Sequence, residues 1–269
     1  MVSSELLRKP LKSSNNDASI KELINIMNRK IHIGTSGWNY KHWRGPFYPT
    51  DLPQKEWLEF YCRQLQSVEI NNSFYKLPEV KTLKTWFDIV PSNFIYTLKA
   101  NRYITHMKKL NEPEKPVANL HSRTDVLKDK LGAILFQLPP QWHFNEQRLS
   151  AFLNTLSANY HYSFEFRDDS WWNDKTYQML KKHNAAFCIF ELAGQQSPKE
   201  ITADFIYIRL HGPDKEAYQG EYDDKTLAGW AGAIHAWHDK EKEIYCYFDN
   251  DQNGFAVKNA LKLQNMLSK

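Results

Sequence analysis

The stretch Phe205-Ile206-Tyr207-Ile208-Arg209-Leu210-His211-Gly212-Pro213 decides how this chain folds. Residues of strand-forming type run unbroken until a Gly-Pro pair stops them, the pattern of a short buried β-strand. Side chains alternate across a strand, so Tyr207, Arg209 and His211 fall on one face and Ile206, Ile208 and Leu210 on the other. The second face is apolar and suited to lie under helices. The first turns polar toward the C-terminal end of the strand.

Seven more runs of this kind lie at residues 31–36, 67–71, 94–99, 133–138, 162–167, 186–191 and 244–249. They are rich in Ile, Val, Phe and Tyr, and most end at Gly, Pro, Asn or Asp. Apolar stripes at helical spacing fill most of the gaps: Trp57, Leu58, Tyr61 and Leu65; Leu149, Phe152, Leu153 and Leu156; Leu227, Trp230, Ala231 and Ile234; Ala256, Ala260 and Leu263. Strand–helix alternation with connections this long implies parallel strands and right-handed crossovers. Eight such units close a barrel. The expected architecture is α/β, a single TIM (β/α)8 barrel over residues 31–269, in preference to an open doubly wound sheet. One unit departs from the rhythm. Only twelve residues separate Glu191 from Asp204, so an incomplete helix is expected after the sixth strand.

Residues 1–30 read as an N-terminal extension, polar and Ser/Asn-rich to about residue 16 and so expected to be disordered and dispensable. Ile20, Leu23, Ile24 and Met27 then repeat at the spacing of a short helix. Cys62, Cys188 and Cys246 lie far apart, which argues against a disulfide scaffold and against a cysteine zinc site. No segment has the length and apolarity of a signal peptide or a membrane span, so a cytoplasmic protein without a membrane partner is expected. The net charge of +4 is mild and spread along the chain, which does not by itself call for nucleic acid. Oligomeric state is not legible.

In a barrel the chemistry sits at the C-terminal ends of the strands and in the loops after them. The second run ends in Glu69, Asn71 and Ser73, which alternate and share a face; the third ends in Lys99 and the fourth in Gln137. The fifth places Glu165 and Arg167 on one face with Phe164 and Phe166 opposite, and the eighth ends in Asp249 and Asn250. Taken singly, each has a plain structural role: an ion pair for Glu165 and Arg167, a loop cap for His211, a solvated strand end for Lys99. Together they bring Glu, two Arg, Lys and His to one level of the mouth, and burying that many charges without a ligand is costly. The loop holding Trp38, Tyr40, Trp43, Phe47 and Tyr48 is expected to cover the mouth, because so many rings are costly to leave in water. Tyr75 and the Arg102-to-His106 loop add further rim groups.

From Ile31 onward the chain resembles the YecE-like family of TIM-barrel proteins, domain of unknown function number seventy-two. The matching stretches are Gly34-Thr35-Ser36-Gly37-Trp38-x-Tyr40-x-x-Trp43-x-Gly45-x-Phe47-Tyr48-Pro49, Val68-Glu69-x-Asn71-x-Ser73-Phe74-Tyr75, Lys99 with Ile104-Thr105-His106, Leu135-x-Gln137-Leu138-Pro139-Pro140, Glu165-x-Arg167, Arg209-x-His211-Gly212 and Phe248-x-Asn250. The resemblance implies the barrel fold and strengthens the site list. It implies no particular reaction.

Two classes of function fit these residues. In the first, an enzyme acts on an anionic small molecule bearing phosphate or carboxylate. Arg167 and Arg209 hold the anion, Glu165 or His211 serves as general acid or base, and Lys99 stabilises charge. Glu69, Asn71, Tyr75, His106, Gln137, Tyr207, Asn250 and Trp38 complete the substrate-binding set. No cofactor is expected. A divalent metal on Glu69, Glu165, His211 and Asp249 is the alternative, and it leads to a hydrolase, isomerase or nuclease of the xylose-isomerase-like type. In the second class, the aromatic and basic rim binds nucleic acid or a nucleotide without turnover.

Overall fold

The computed structural model describes residues 30–268, so the readings made for residues 1–29, the leading helix included, lie outside the described residues. The strands are β1 (Ile31–Ser36), β2 (Ser67–Ile70), β3 (Ile95–Lys99), β4 (Leu131–Leu138), β5 (His161–Phe166), β6 (Ala186–Phe187), β7 (Ile189–Leu192), β8 (Gln195–Gln196), β9 (Phe205–Leu210) and β10 (Glu243–Phe248). The helices are α1 (Trp57–Cys62), α2 (Val80–Ile89), α3 (Glu114–Thr124), α4 (Glu146–Leu153), α5 (Asp174–Lys182), α6 (Asp224–His238) and α7 (Phe255–Leu267). All ten strands form one curled sheet in the order β6-β5-β4-β3-β2-β1-β10-β9-β7-β8, parallel throughout except for β7–β8.

The α/β class and the parallel, strand-by-strand winding are as the sequence implies. Regular closure by eight unbroken strands is not what the ladder shows. The sixth run splits at Cys188: β6 pairs with β5, whereas β7 pairs with β9 and begins the other end of the strand order. After β7 the expected partial helix is replaced by a hairpin to β8, turning through Ala193 and Gly194, which both adopt positive φ. That two-residue geometry matches the twist of paired strands, and it consumes the short segment that had no room for a helix.

The alternation read from the sequence sorts the buried residues into two clusters. Ile206, Ile208 and Leu210 of β9 join the large core between sheet and helices, with Leu149 and Phe152 of α4, Leu227 and Ile234 of α6, and Leu263 of α7. Phe205, Tyr207, Tyr245, Tyr247, Leu135 and Cys188 form a second cluster on the inner face of the curl. Space inside is tight. A Cβ on Gly34 of β1 would lie 2.1 Å from the Ser67 carbonyl oxygen, so only glycine admits this approach of β1 to β2.

The loop from Trp38 to Tyr48 is packed, but mostly not over the mouth. Tyr48 stacks on Trp57 of α1 at 4.7 Å, Phe47 meets Phe60 at 5.4 Å, and Trp38 meets Trp86 of α2 edge-on at 4.8 Å. Tyr40 leans toward the charged interior, its hydroxyl donating to the Ser36 carbonyl, and Trp43 Nε1 donates to Asp251 Oδ1 after β10 at 2.6 Å. The rings find helices to bury against before they find the mouth.

Candidate functional site

The inner face changes character along each strand. On β9 it runs Phe205, Tyr207, Arg209 and then His211; on β10 it runs Tyr245, Tyr247 and then Asp249. The parallel register sets Gln137 of β4 beside Glu165 of β5, and Lys99 of β3 beside Leu135 of β4. The polar residues therefore arrive at one level because parallel strands present their C-terminal ends together.

At the centre is the Arg209 guanidinium, fully buried. It grips Glu69 by two bonds, Nε to Oε2 at 3.0 Å and Nη2 to Oε1 at 2.7 Å. Nη1 donates to Glu165 Oε2 at 2.7 Å, and Nη2 also reaches Asp249 Oδ2 at 3.0 Å and Ser36 Oγ at 3.1 Å. Arg167 donates through Nε to the other oxygen of Glu165. The Tyr207 hydroxyl donates to Glu69 at 2.7 Å and contacts Thr97 Oγ1 at 2.9 Å, tying the network to the aromatic layer below.

His211 has a defined tautomer. Its Nε2 faces Arg167 Nη2 at 3.1 Å and Arg209 Nη1 at 3.3 Å, and both of those atoms can only donate. Nε2 must therefore accept, which places the ring proton on Nδ1, where it bonds Asp249 Oδ2 at 3.0 Å. Burial, and then the Arg209 and Arg167 charges, hold His211 neutral by pushing its pKa well below the usual value. Burial alone would raise the Glu165 pKa; Arg167 and Arg209 overcome it and keep the carboxyl well below the ordinary range. Burial raises the Asp249 pKa against the pull of Arg209.

The sequence reading brings one Glu, two Arg, a Lys and a His to this level of the mouth. The geometry corrects that balance, since Glu69, Glu165 and Asp249 stand against Arg209, Arg167 and Lys99. Arg209 is also corrected as an anion-holding group: every one of its nitrogens is already engaged within the protein. Glu69, Glu165, His211 and Asp249, the set considered for a metal, do converge, but on this guanidinium. No group of three or more His, Cys, Asp or Glu among the described residues is arranged to hold a metal ion.

Lys99 differs from its neighbours. It is 7% exposed, no carboxylate oxygen of the described residues lies within 4.0 Å of Nζ, and Nζ sits 4.5 Å above the Phe74 ring. Burial, then Arg209, lower its pKa to about 8 in spite of Glu165, Asp249 and Glu69. Beside it His106 bonds Thr105 Oγ1 through Nδ1 at 2.9 Å, and burial with the Lys99, Arg102 and Arg167 charges lowers its pKa to about 4.

The remaining residues scatter. Gln137 is buried at the mouth and donates to the Leu138 carbonyl at 3.1 Å. Asn71 is half-buried and Tyr75 stands 73% exposed on the rim. Trp38 is buried and meets Trp86 of α2 edge-on. Asn250 joins the Gly220 carbonyl at 2.8 Å to Asn259 of α7 at 2.9 Å and so braces a loop. Ser36 and Asp249 belong to the network although the sequence reading left both out of its binding set. Ser36 was findable, because it follows Gly34 by two on β1 and so shares its inward face. A cavity of about 820 Å3 opens next to the Lys99 strand end, lined by Asn101, Tyr103, Ile104 and Lys108 with residues of α3.

Fold and site together define an α/β protein with a curled, mostly parallel sheet and a buried ionic network at the C-terminal ends of its strands. The chain belongs to the family described as protein of unknown function DUF72, whose model matches residues 32–269. It is 22% identical over 273 residues to the UPF0759 protein YunF of Bacillus subtilis, an alignment covering 88% of this chain and 94% of that one. A DUF72 family protein from Thermotoga maritima superposes with a TM-score of 0.80 at 25% identity, covering 89% of this chain and 99% of the other. A second, from Enterococcus faecalis, has a TM-score of 0.75 at 18% identity, over 89% and 96% of the two chains, and speaks to the fold alone. No helix among the described residues is long and apolar enough to cross a membrane.

Proposed function

We propose that the mouth of the curled sheet binds an anionic small molecule carrying a phosphate or carboxylate, and that the protein is an enzyme acting on it by proton transfer. The observation that carries this reading is the contrast between two cations at one level. Arg209 is saturated by three carboxylates, whereas Lys99 is buried without any among the described residues. A buried ammonium without a counter-ion is costly, and a bound anion removes that cost. Arg167 supplies the second contact, because only its Nε and one terminal nitrogen are engaged.

In this reading Lys99 both holds the anion and exchanges a proton, since its pKa of about 8 lies near working pH. Glu165 and His211 become positioning residues that fix the two arginines, because neither titrates near neutrality. The end strand β6 and, near the other end of the sheet, β7 are adjacent in the chain across Cys188, whose amide bonds the Phe164 carbonyl at 2.8 Å. We read the curl as a barrel closed at that residue, with the site in its mouth.

Calorimetric titration with phosphate, sulfate and small carboxylates tests the reading. Lys99→Ala and Arg167→Ala are each expected to weaken binding by roughly tenfold or more, the worth of a charge-assisted hydrogen bond. Equal affinities in wild type and both variants overturn it. A nucleotide is the second reading of this mouth, favoured by Tyr75, Tyr103 and Tyr218, which stand exposed at 73%, 43% and 46% around it, where a base can stack.

A further inference from the structure

We propose that Lys99 is a carbonyl-capturing amine: the ligand of this site carries an aldehyde or ketone besides its anionic group, and Lys99 Nζ condenses with it to form an imine. This rests on the anion reading above and adds the second functional group of the ligand.

The geometry separates Lys99 from the other buried lysine. Lys130, 6% exposed, donates to the carbonyls of Phe87 and Val90 at 2.7 and 2.8 Å, so its ammonium is fixed in a structural role. Lys99 is equally buried, yet Nζ donates to no described residue. Nor is Nζ among the sealed side-chain polar atoms without partners, which among the described residues are Thr176 Oγ1 and Asn250 Oδ1, so it still touches solvent at the mouth. Its backbone is held firmly, with the Lys99 carbonyl accepting from Ser73 Oγ at 2.6 Å. The result is a rigidly placed amine, open on one side and backed by the Phe74 ring.

A lysine attacks a carbonyl only as the free amine, and its surroundings set that fraction. The groups facing Lys99 are Glu69 from β2, Glu165 from β5 with Arg167 just after it, Arg209 from β9 with His211 just after it, Asp249 after β10 and His106 from the neighbouring loop. The three carboxylates are taken up by the guanidiniums, His211 and His106 are neutral near pH 7, and Arg209 opposes a further positive charge. Burial then favours the neutral amine, in line with the pKa of about 8.

In the reaction the Nζ lone pair attacks the carbonyl carbon and forms a C–N bond while the oxygen takes up a proton. The carbinolamine then loses that oxygen as water, both hydrogens of which come from the amine, and a C=N bond remains. A proton from solvent converts the imine to its cationic form. No oxidant or reductant is consumed. The cation that results is again buried next to Arg209, and the anionic group of the ligand offsets it.

Pyridoxal 5′-phosphate, which carries both an aldehyde and a phosphate, is the probe. The full chain is incubated with it and sodium cyanoborohydride, which adds hydride to the imine carbon and makes the link permanent; labelled lysines are then mapped by peptide mass spectrometry. At pH 7 Lys99 is expected to label at least about tenfold faster than exposed lysines, whose free-amine fraction is roughly three hundredfold smaller. Its rate should rise with a midpoint near pH 8, and inorganic phosphate should protect it. Lys99→Arg, which keeps the charge and the fold, should lose this fast site and leave slow surface labelling unchanged. If Lys99 labels no faster than exposed lysines while phosphate still binds in a Lys99-dependent way, the imine proposal falls and the anion site stands. If Lys99 labels fast and phosphate neither binds nor protects, the amine stands and the anion reading falls.

Discussion

Two layers fill the inside of the same curled sheet, and they are stabilised by opposite means. The lower layer holds Phe205, Tyr207, Tyr245, Tyr247 and Leu135, apolar surface removed from water. Of its hydroxyls, Tyr247 meets Ser67 Oγ at 2.6 Å within the layer, whereas Tyr207 reaches up to Glu69 at 2.7 Å. The upper layer holds Glu69, Glu165, Arg209, His211 and Asp249, almost wholly buried and, except for the neutral His211, charged. The lower layer would survive many apolar substitutions of equal volume. The upper layer is stable only as a complete set, because each charge is tolerated through its partners. Within it, Lys99 is the member the set leaves out, and a group that costs stability where it stands points to function.

The largest break in this comparison should come from Arg209→Ala. Three carboxylates would lose their shared counter-ion, and removing one partner of a buried ion pair costs about 3–5 kcal/mol. Arg209→Lys should recover little, because an ammonium cannot make the two-pronged contact with Glu69. Urea unfolding curves of the three proteins check this; a loss under about 1 kcal/mol for Arg209→Ala would mean that the upper layer repacks like the lower.

Lys99→Met should act in the opposite direction and stabilise the fold. Lowering the lysine pKa from 10.5 to about 8 means that folding works against its charge, at a cost on the order of 3 kcal/mol at neutral pH. Because the folded pKa lies below the unfolded one, that cost is full below pH 8 and fades as pH rises from about 8 to 10.5. The gain of Lys99→Met over wild type should therefore shrink across that window. A gain that does not depend on pH would trace to packing alone.

Acid should unfasten the upper layer before the lower one. His211 is held neutral with a pKa below its unfolded value of 6.5, so below that pH the unfolded chain binds a proton the folded one refuses. Stability should fall with a slope of up to about 1.4 kcal/mol per pH unit from this group. Glu165, whose folded pKa is depressed below 4.5, adds its own loss as pH falls further. Denaturation midpoints of wild type and His211→Gln between pH 7 and 4 separate the contributions, the variant being expected to show the shallower decline.

The smallest effect concerns the aromatic loop, which belongs to the apolar way of building. Tyr48→Phe keeps the stack on Trp57 and loses the bond from the hydroxyl to the Trp38 carbonyl at 2.6 Å. A cost of about 1 kcal/mol is expected, with the ligand affinities of the mouth unchanged, since this loop packs mainly on α1 and α2. A change in phosphate affinity would show that the loop covers the mouth after all.

The sequence by itself determined the period-two alternation, and with it which side chains face inward. Tyr207, Arg209 and His211 could be placed on one face, and Glu165 with Arg167, because strand geometry leaves no other choice. It also determined the parallel winding, through the length of the connections, and it exposed the sixth unit as short of a helix. What only the tertiary structure decided was which charges meet. Pairing depends on strand register and on rotamers across the curl, neither of which is written in local spacing, so Arg209 passed for a ligand-binding arginine when it is the counter-ion of Glu69, Glu165 and Asp249. The split at Cys188 was hidden for the same reason: a run of apolar residues does not reveal that its two halves pair with opposite ends of the sheet. The isolation of Lys99 became visible last, because being unpaired is a property of every neighbour at once.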